Sequence, residues 1–414
     1  MSRSDAPTAA AGAPPADQAD RRARTAALAC MVGLAVVLGV GRFAFTPLLP
    51  LMLADGSIGL KAGGWLASAN YAGYFVGAVS CAALRAAPAR MVRFGLVATV
   101  LLTAAMGVGH LLPVWLAVRF VAGVVSAWTF VFVSQWGLRR LAELHAPEWS
   151  GVIYAGPGVG IVVTGLIGSA LAGRHAAAGW LGFAALSAVL SVAIWRTFAT
   201  APAQAGAPGG GTPHAAAATA AMPADTRRHR ADAAWLVVLY GLPGFGYIIT
   251  ATFLPVIARA ALPAGSPWPD LFWPMFGAAL IAGAITAARL PGHWDNRLLL
   301  AAGCATQALG IAAGIVWPNA AGFSAGSALL GLPFTAITLF AMREARRLHG
   351  ERAAGLMGYA TASYGVGQIL GPLVAAPLAA RFGSFSPALW GAAAALLLGA
   401  AGFAATAARG RLQP

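Results

Sequence analysis

The chain predicts an all-α integral membrane protein, with twelve transmembrane helices in two pseudo-repeated six-helix bundles, and three observations carry that expectation. Composition is the first: 59% of the residues are hydrophobic and 9% charged, with a mean hydropathy of +0.74, far from the about 25% charged residues of a soluble domain. The second is the set of apolar runs. Twelve stand out, at Ala26–Leu53, Gly63–Leu84, Val92–Leu111, Val114–Leu138, Gly151–Ala172, Trp180–Phe198, Ala233–Ile257, Leu271–Ala287, Leu298–Val316, Ala320–Met342, Ala353–Ala379 and Pro387–Ala407, each near the about 20 residues that cross a bilayer as a helix. The third is an internal repeat. Gly39-Val40-Gly41-Arg42, followed by Leu49-Pro50, returns as Gly244-Phe245-Gly246-Tyr247, followed by Leu254-Pro255, a shift of 205 residues. The same shift takes Tyr154 to Tyr359, Ala155 to Ala360 and Gly160 to Gly365.

Residues 1–24, rich in Ala, Pro and Asp, read as a disordered tail that ends in Arg21, Arg22 and Arg24 before the first helix. The arginine pair is not an export signal, because the apolar run behind it is longer than a signal's hydrophobic core. Residues 25–199 form the first bundle and 233–408 the second. Between them, 200–232 is a flexible linker of Ala, Pro, Gly and Thr, and 409–414 is a short tail. With the first helix running outward, 21 of the 27 Lys and Arg residues fall on the side of the termini and 4 on the other. That bias places both termini in the cytoplasm. It also accounts for the net charge of +15 with no nucleic-acid partner. Cys30, Cys81 and Cys304 lie far apart inside spans, and the seven histidines lie in loops or at helix ends. That pattern gives no disulfide framework, no metal site and no cofactor.

The first span holds the chain's strangest stretch: Gly39, Gly41 and Arg42 followed by Pro47 and Pro50. A cation at membrane depth costs about 2.5–3.5 kcal/mol on insertion scales, so Arg42 must face protein, water or a bound anion. Two readings stand. Arg42 anchors a solute's anionic group, or it caps carbonyls that the prolines free. In the second span Asn70 and Tyr74 share a helical face, while Gly73 and Gly77 let a neighbouring helix approach closely. In the fourth span Arg119 precedes Gly123 by four residues, near enough to the membrane edge to snorkel. Gly156-Pro157-Gly158-Val159-Gly160 marks a kink or a close crossing in the fifth, and it lacks the Lys-Ser/Thr of a phosphate-binding loop. The seventh repeats the opening stretch with Gly244, Gly246, Tyr247 and Pro255, so both halves are expected to carry a loosened helix. In the eleventh, Thr361, Tyr364 and Gln368 follow i, i+3, i+7 spacing on one face, ahead of Gly371 and Pro372.

Arg119 with Gly123 resembles the fourth-helix arginine-glycine motif of the major facilitator superfamily, and the Gly156–Gly160 run resembles a partial form of its fifth-helix glycine-proline motif. GVGRFAFTPLLPLM, GGWLASANYAGYFVGA, GFGYIITATFLP and GQILGPLVA are similar more closely to the YbfB/YjiJ family. The resemblance implies the major facilitator fold and an alternating-access secondary transporter of the bacterial inner membrane. It implies no substrate. The loop between the second and third helices departs from the superfamily pattern, its acidic residue and basic triplet reduced to Arg85, Arg90 and Arg93.

All twelve Asp and Glu residues fall in tails, loops or helix ends, whereas a proton relay ordinarily needs an ionisable group within the membrane. Coupling is then absent, or it uses Asp55 or Asp232 near a helix end. A deep site whose only fixed charges are arginines favours an anion. The expected function is transport of a small anionic organic solute, in or out, by a monomer embedded in the bilayer. Its lining is Arg42, Asn70, Tyr74, Tyr247, Thr361, Tyr364 and Gln368. Gly39, Gly41, Pro47, Pro50, Arg119, Gly123, Gly156, Pro157, Gly244, Gly246, Pro255, Gly371 and Pro372 serve gating or helix packing. Efflux of amphipathic compounds is the alternative. A receptor on a transporter fold stands behind it, as does a membrane enzyme, for which no acid/base or nucleophile constellation appears.

Overall fold

The structure, a computed structural model, describes residues 16–171, 173–199, 226–350 and 353–411. Within the membrane a chain must satisfy its own backbone hydrogen bonds, and the apolar runs do so as helices. Helix α1 comprises Ala16–Leu34, a π-helical turn at Ala35–Val40 and Phe45–Ala54. It is followed by α2 (Leu60–Ser80), α3 (Pro88–Val108), α4 (Leu112–Glu143), α5 (Ser150–Tyr154 and Gly156–Ala170) and α6 (Ala176–Ile194). The second bundle has α7 (Thr226–Ala261), α8 (Trp268–Arg289), α9 (Asn296–Val316), α10 (Ala320–Gly331 and Phe334–His349), α11 (Ala354–Phe382) and α12 (Ser386–Arg411). Among the described residues, eleven helical runs are long and apolar enough to cross a membrane. Helix α2 is the twelfth, made more polar by Lys61, Ser68, Asn70 and Ser80. Large apolar side chains such as Val79, Leu101, Val192, Leu309 and Leu398 stand exposed on the outer surface, as lipid-facing residues do.

Three boundaries differ from expectation. Helix α1 begins at Ala16, so residues 16–24 of the tail are helical rather than disordered; α7 begins at Thr226, inside the linker; and α12 runs on to Arg411. Polar arginine-rich turns extend each helix beyond its apolar run, because a helix can project into water at no backbone cost. The remainder of both tails and of the linker lies outside the described residues.

In the first half α2 packs on α4, α3 on α4 and α6, and α1 on α5; in the second α7 packs on α11 and α12, α9 on α10 and α12, and α8 on α10. Glycines set the closest approaches. A Cβ on Gly123 would lie 2.0 Å from the Asn70 carbonyl oxygen, and one on Gly73 would lie 1.9 Å from that of Phe120, so α2 and α4 touch backbone to backbone. Gly123→Ala must push a helix aside rather than turn a side chain. We expect a loss of at least about 3 kcal/mol, the upper end for overpacking, seen as a fall in apparent unfolding temperature in detergent. Gly182→Ala, where a Cβ meets open space, should leave it unchanged.

The halves meet along three helix pairs, α2 with α11, α5 with α8 and α1 with α7. Gly64 of α2 closes on the Pro372 carbonyl and Ala376, Gly165 on Pro274, and Gly158 on Ile281 and the Gly277 carbonyl. Hydroxyls cross the same seam: Thr46 Oγ1 donates to the Ala251 carbonyl at 3.0 Å, Ser68 Oγ to that of Ile369 at 2.8 Å, and the Tyr71 and Thr252 hydroxyls are hydrogen-bonded to each other at 3.0 Å. These contacts lie at mid-depth and toward the distal face, the one opposite residues 16 and 411. Toward the terminal face α11 exposes one side, where a Cβ on Gly355 or Gly358 would touch nothing and Tyr359 is 71% exposed, while Leu356 and Ala360 on its other side are buried. The seam is closed at mid-depth and distally.

One ionic cluster binds the terminal ends of the second half. Arg297 of α9 donates to Glu344 Oε1 of α10 at 2.6 Å, to Asp232 Oδ2 of α7 at 2.6 Å and to the Thr406 carbonyl of α12 at 2.8 Å, and Arg347 also pairs with Glu344. Asp295 caps α9 through the Arg297 amide.

Candidate functional site

The site grows out of the break in α1. Its wide turn sends the Gly41 amide to Val36 O at 3.0 Å and the Phe43 amide to Leu38 O at 3.0 Å, one residue further back than in an α-helix. The Thr46 amide is drawn to Phe43 O at 3.2 Å and so is lost to Arg42 O, its α-helical partner. Arg119 supplies what is missing. Its Nη1 donates to Gly41 O and its Nη2 to Arg42 O, both at 3.2 Å, with the guanidinium 5.0 Å from the Phe45 ring centre. Arg119 is 2% exposed, so it caps the break and does not snorkel. Asn70 Nδ2 holds the Arg119 carbonyl at 2.9 Å, which ties α2 into the same joint. Helix α7 carries the repeat of this stretch yet runs unbroken through Gly244, Gly246 and Pro255, contrary to expectation. There Gly244 and Gly246 lie against the Tyr364 carbonyl and Leu396, so these glycines serve close packing rather than unwinding.

With its carbonyl held from behind, Arg42 turns its side chain to the seam. It is 6% exposed. Its guanidinium carbon lies 4.2 Å from the ring centre of Tyr74, 5.1 Å from Tyr71 and 5.3 Å from Phe43, within cation–π range. Nη2 donates across the seam to Gln368 Oε1 of α11 at 3.1 Å, while Nε is buried without a hydrogen-bond partner. No carboxylate pairs with Arg42 among the described residues. Gln368 Nε2 donates in turn to the Tyr247 hydroxyl.

Aromatic rings enclose this polar chain. Tyr364 is sandwiched between Tyr240 and Tyr247 at 4.8 and 5.8 Å between ring centres, and Tyr240 Oη donates to Thr338 Oγ1 at 3.1 Å. From Tyr247 the contacts pass edge-on to Phe334, then to Phe276, to Trp273 stacked on it, and back across the seam from Trp273 to Phe43.

Of the expected lining residues the structure brings together Arg42, Tyr74, Tyr247, Tyr364 and Gln368. Asn70 lies in the α2–α4 joint. Thr361 stays apart: it is exposed, and its hydroxyl bonds back to Met357 O at 2.8 Å. Among the expected packing residues, Gly39 meets Gly160 Cα, Gly156 meets Met31 O, Gly168 meets Pro47, and Gly371 meets Ile248. Pro50, Pro255 and Pro372 stand inside helices, and Pro157 stands in the first turn of the longer α5 piece. Phe43, Trp273, Phe276, Phe334 and Thr338 were not anticipated in the site. Aromatics in an apolar helix carry no sequence signal that separates a site wall from core. The two acids closest to an expected coupling role are both engaged: Asp55 accepts from the Ala176 amide at 2.7 Å, at the start of α6, and Asp232 pairs with Arg297.

Two six-helix bundles meeting at a polar seam with a buried, uncompensated arginine define a membrane transporter of the major facilitator type. The chain belongs to the family described as "Uncharacterised MFS-type transporter YbfB", which matches residues 34–403. Among solved structures it is similar to a point mutant of the nucleoside transporter NupG, at 14% identity and a TM-score of 0.71, covering 92% of this chain and 99% of that one. It is also similar to a D-xylose-proton symporter, at 12% identity and a TM-score of 0.68, covering 92% and 97%. At such identities the likeness is one of fold. Comparison with curated proteins gives no match.

Proposed function

We propose that this chain is a secondary transporter that moves a small anionic organic solute across the bacterial inner membrane by alternating access, with Arg42 as the anchor. One observation carries the reading: Arg42 is a buried cation on the seam, with an open donor and no carboxylate partner among the described residues. Intramembrane charges mark solute paths by default, and capping of the freed carbonyls, the competing role for Arg42, falls to Arg119. The arginine bias supports a cytoplasmic terminal face. The transporter acts as a monomer, with its site complete within one chain, and performs no catalysis.

The test is a thermal-shift screen of purified protein against anionic, zwitterionic and cationic metabolites, with Arg42→Ala in parallel, since a ligand for the folded state raises apparent stability. Stabilisation by acids that vanishes in Arg42→Ala is the expected result. Stabilisation by cations or neutral compounds alone, equal in both proteins, makes Arg42 structural and overturns the anionic reading.

A further inference from the structure

We infer that the solute is a singly charged carboxylate with an apolar body and no ammonium group, and that it displaces Gln368 from Arg42. This rests on the anion-transporter reading above and narrows it.

The charge available is one. Two cations lie deep in the described spans, and Arg119 spends both terminal nitrogens on main-chain carbonyls, which leaves Arg42. Its fork is half occupied. Nε and Nη2 form one edge of the guanidinium, the edge that takes two carboxylate oxygens side by side; Gln368 Oε1 holds Nη2, and Nε beside it has no partner. A carboxylate in place of the amide satisfies both donors, where the amide oxygen satisfies one. A second donor, Trp273 Nε1, is also fully buried and unpartnered, on the aromatic ring that reaches Phe43. A second carboxylate on the solute has no second cation to meet.

An ammonium fares worse. Every described carboxylate near a span is at a helix end, and Asp55, Asp232, Asp270 and Glu344 are bound to the Ala176 amide, Arg297, Arg259 and the Arg297–Arg347 pair. Of the aromatic faces, the other cation receptor, those of Tyr74, Tyr71 and Phe43 already face Arg42, where an ammonium would meet a like charge, and Tyr364 is stacked between Tyr240 and Tyr247. The unpartnered Asn70 Oδ1 offers an ammonium only a neutral oxygen. The other rings of the circuit, Phe276, Phe334 and Trp273, are uncharged surroundings that suit an apolar body.

Two matched series test this, each varying charge on one skeleton: 3-phenylpropionate, phenylalanine, phenylsuccinate and phenethylamine; and 4-methylpentanoate, leucine, isobutylsuccinate and isopentylamine. Binding to purified protein near neutral pH is measured by thermal shift and calorimetry. In at least one series the monocarboxylate should bind at least about 100-fold more tightly than its three partners, because an unpaired buried charge is heavily penalised. Gln368→Glu, which sets a carboxylate of the protein's own on Arg42, should weaken the monocarboxylate by at least about tenfold without lowering the unfolding temperature. Gln368→Ala, which bares the fork, should tighten it. A Gln368 that only held the halves together would give the same loss in both variants. Zwitterions or dianions that bind as well as the monocarboxylate overturn this inference and leave the anion-transporter reading standing. Silence of all carboxylates, with cations or neutral compounds binding in the wider screen, overturns both.

Discussion

Replacing Arg42 by lysine is expected to reduce transport at least about 100-fold while leaving the protein folded. Lysine keeps the charge but loses the planar fork, so a bidentate carboxylate contact becomes a single one. The fold should hold, because an ammonium in the same place still has the Tyr71, Tyr74 and Phe43 rings around it and Gln368 Oε1 within reach. The measurement is uptake into proteoliposomes of whichever acid stabilises the wild-type protein most, beside thermal unfolding of both proteins. Equal kinetics in the two would show that only charge matters at this position, and the bidentate anchor would be abandoned.

Arg119→Leu should fail in the opposite manner, losing the fold before the transport. Two charge-assisted bonds to Gly41 O and Arg42 O go at once, and each such bond contributes about 1.5–3 kcal/mol, so the expected cost is about 3–6 kcal/mol. Both carbonyls would then be bare in the protein interior. Arg119→Lys, able to reach one carbonyl at a time, should fall between. Monodisperse yield in detergent and the unfolding temperature report the loss. A fully stable Arg119→Leu would mean that water reaches the break in α1.

The two arginines look alike in the sequence, each a lone cation in an apolar run, and their division of labour was not legible there. It depends on α4 crossing behind the break in α1, a contact between residues 77 and 78 positions apart. The fold was legible almost completely. Bilayer thickness and backbone satisfaction leave an apolar chain little choice but helices, and the glycine repeat announced the two halves. Helix ends were misjudged wherever polar residues continued a helix past its apolar run, as at Ala16 and Thr226. The repeat misled in one respect, since Gly244 and Gly246 sit in an unbroken helix; glycine spacing alone does not distinguish a helix that unwinds from one that packs closely. Thr361 shares the period of Tyr364 and Gln368, but its side chain is exposed and bonds back to its own helix; a period fixes a side of the helix, not how far along it the neighbours reach.

The hydrogen bond from Thr46 to the Ala251 carbonyl joins residues separated by 205 positions, which is also the spacing of the internal repeat. A residue touches its own counterpart only where the pseudo-dyad passes. Exact symmetry would give that point two reciprocal bonds, a hydroxyl from each side reaching the opposite carbonyl, but Ala251 has no hydroxyl to return. The distal closure is therefore fastened on its axis by a single clasp worth about 0.5–1.5 kcal/mol. A threonine at position 251 would supply the returning bond and hold the two halves together more firmly at that point.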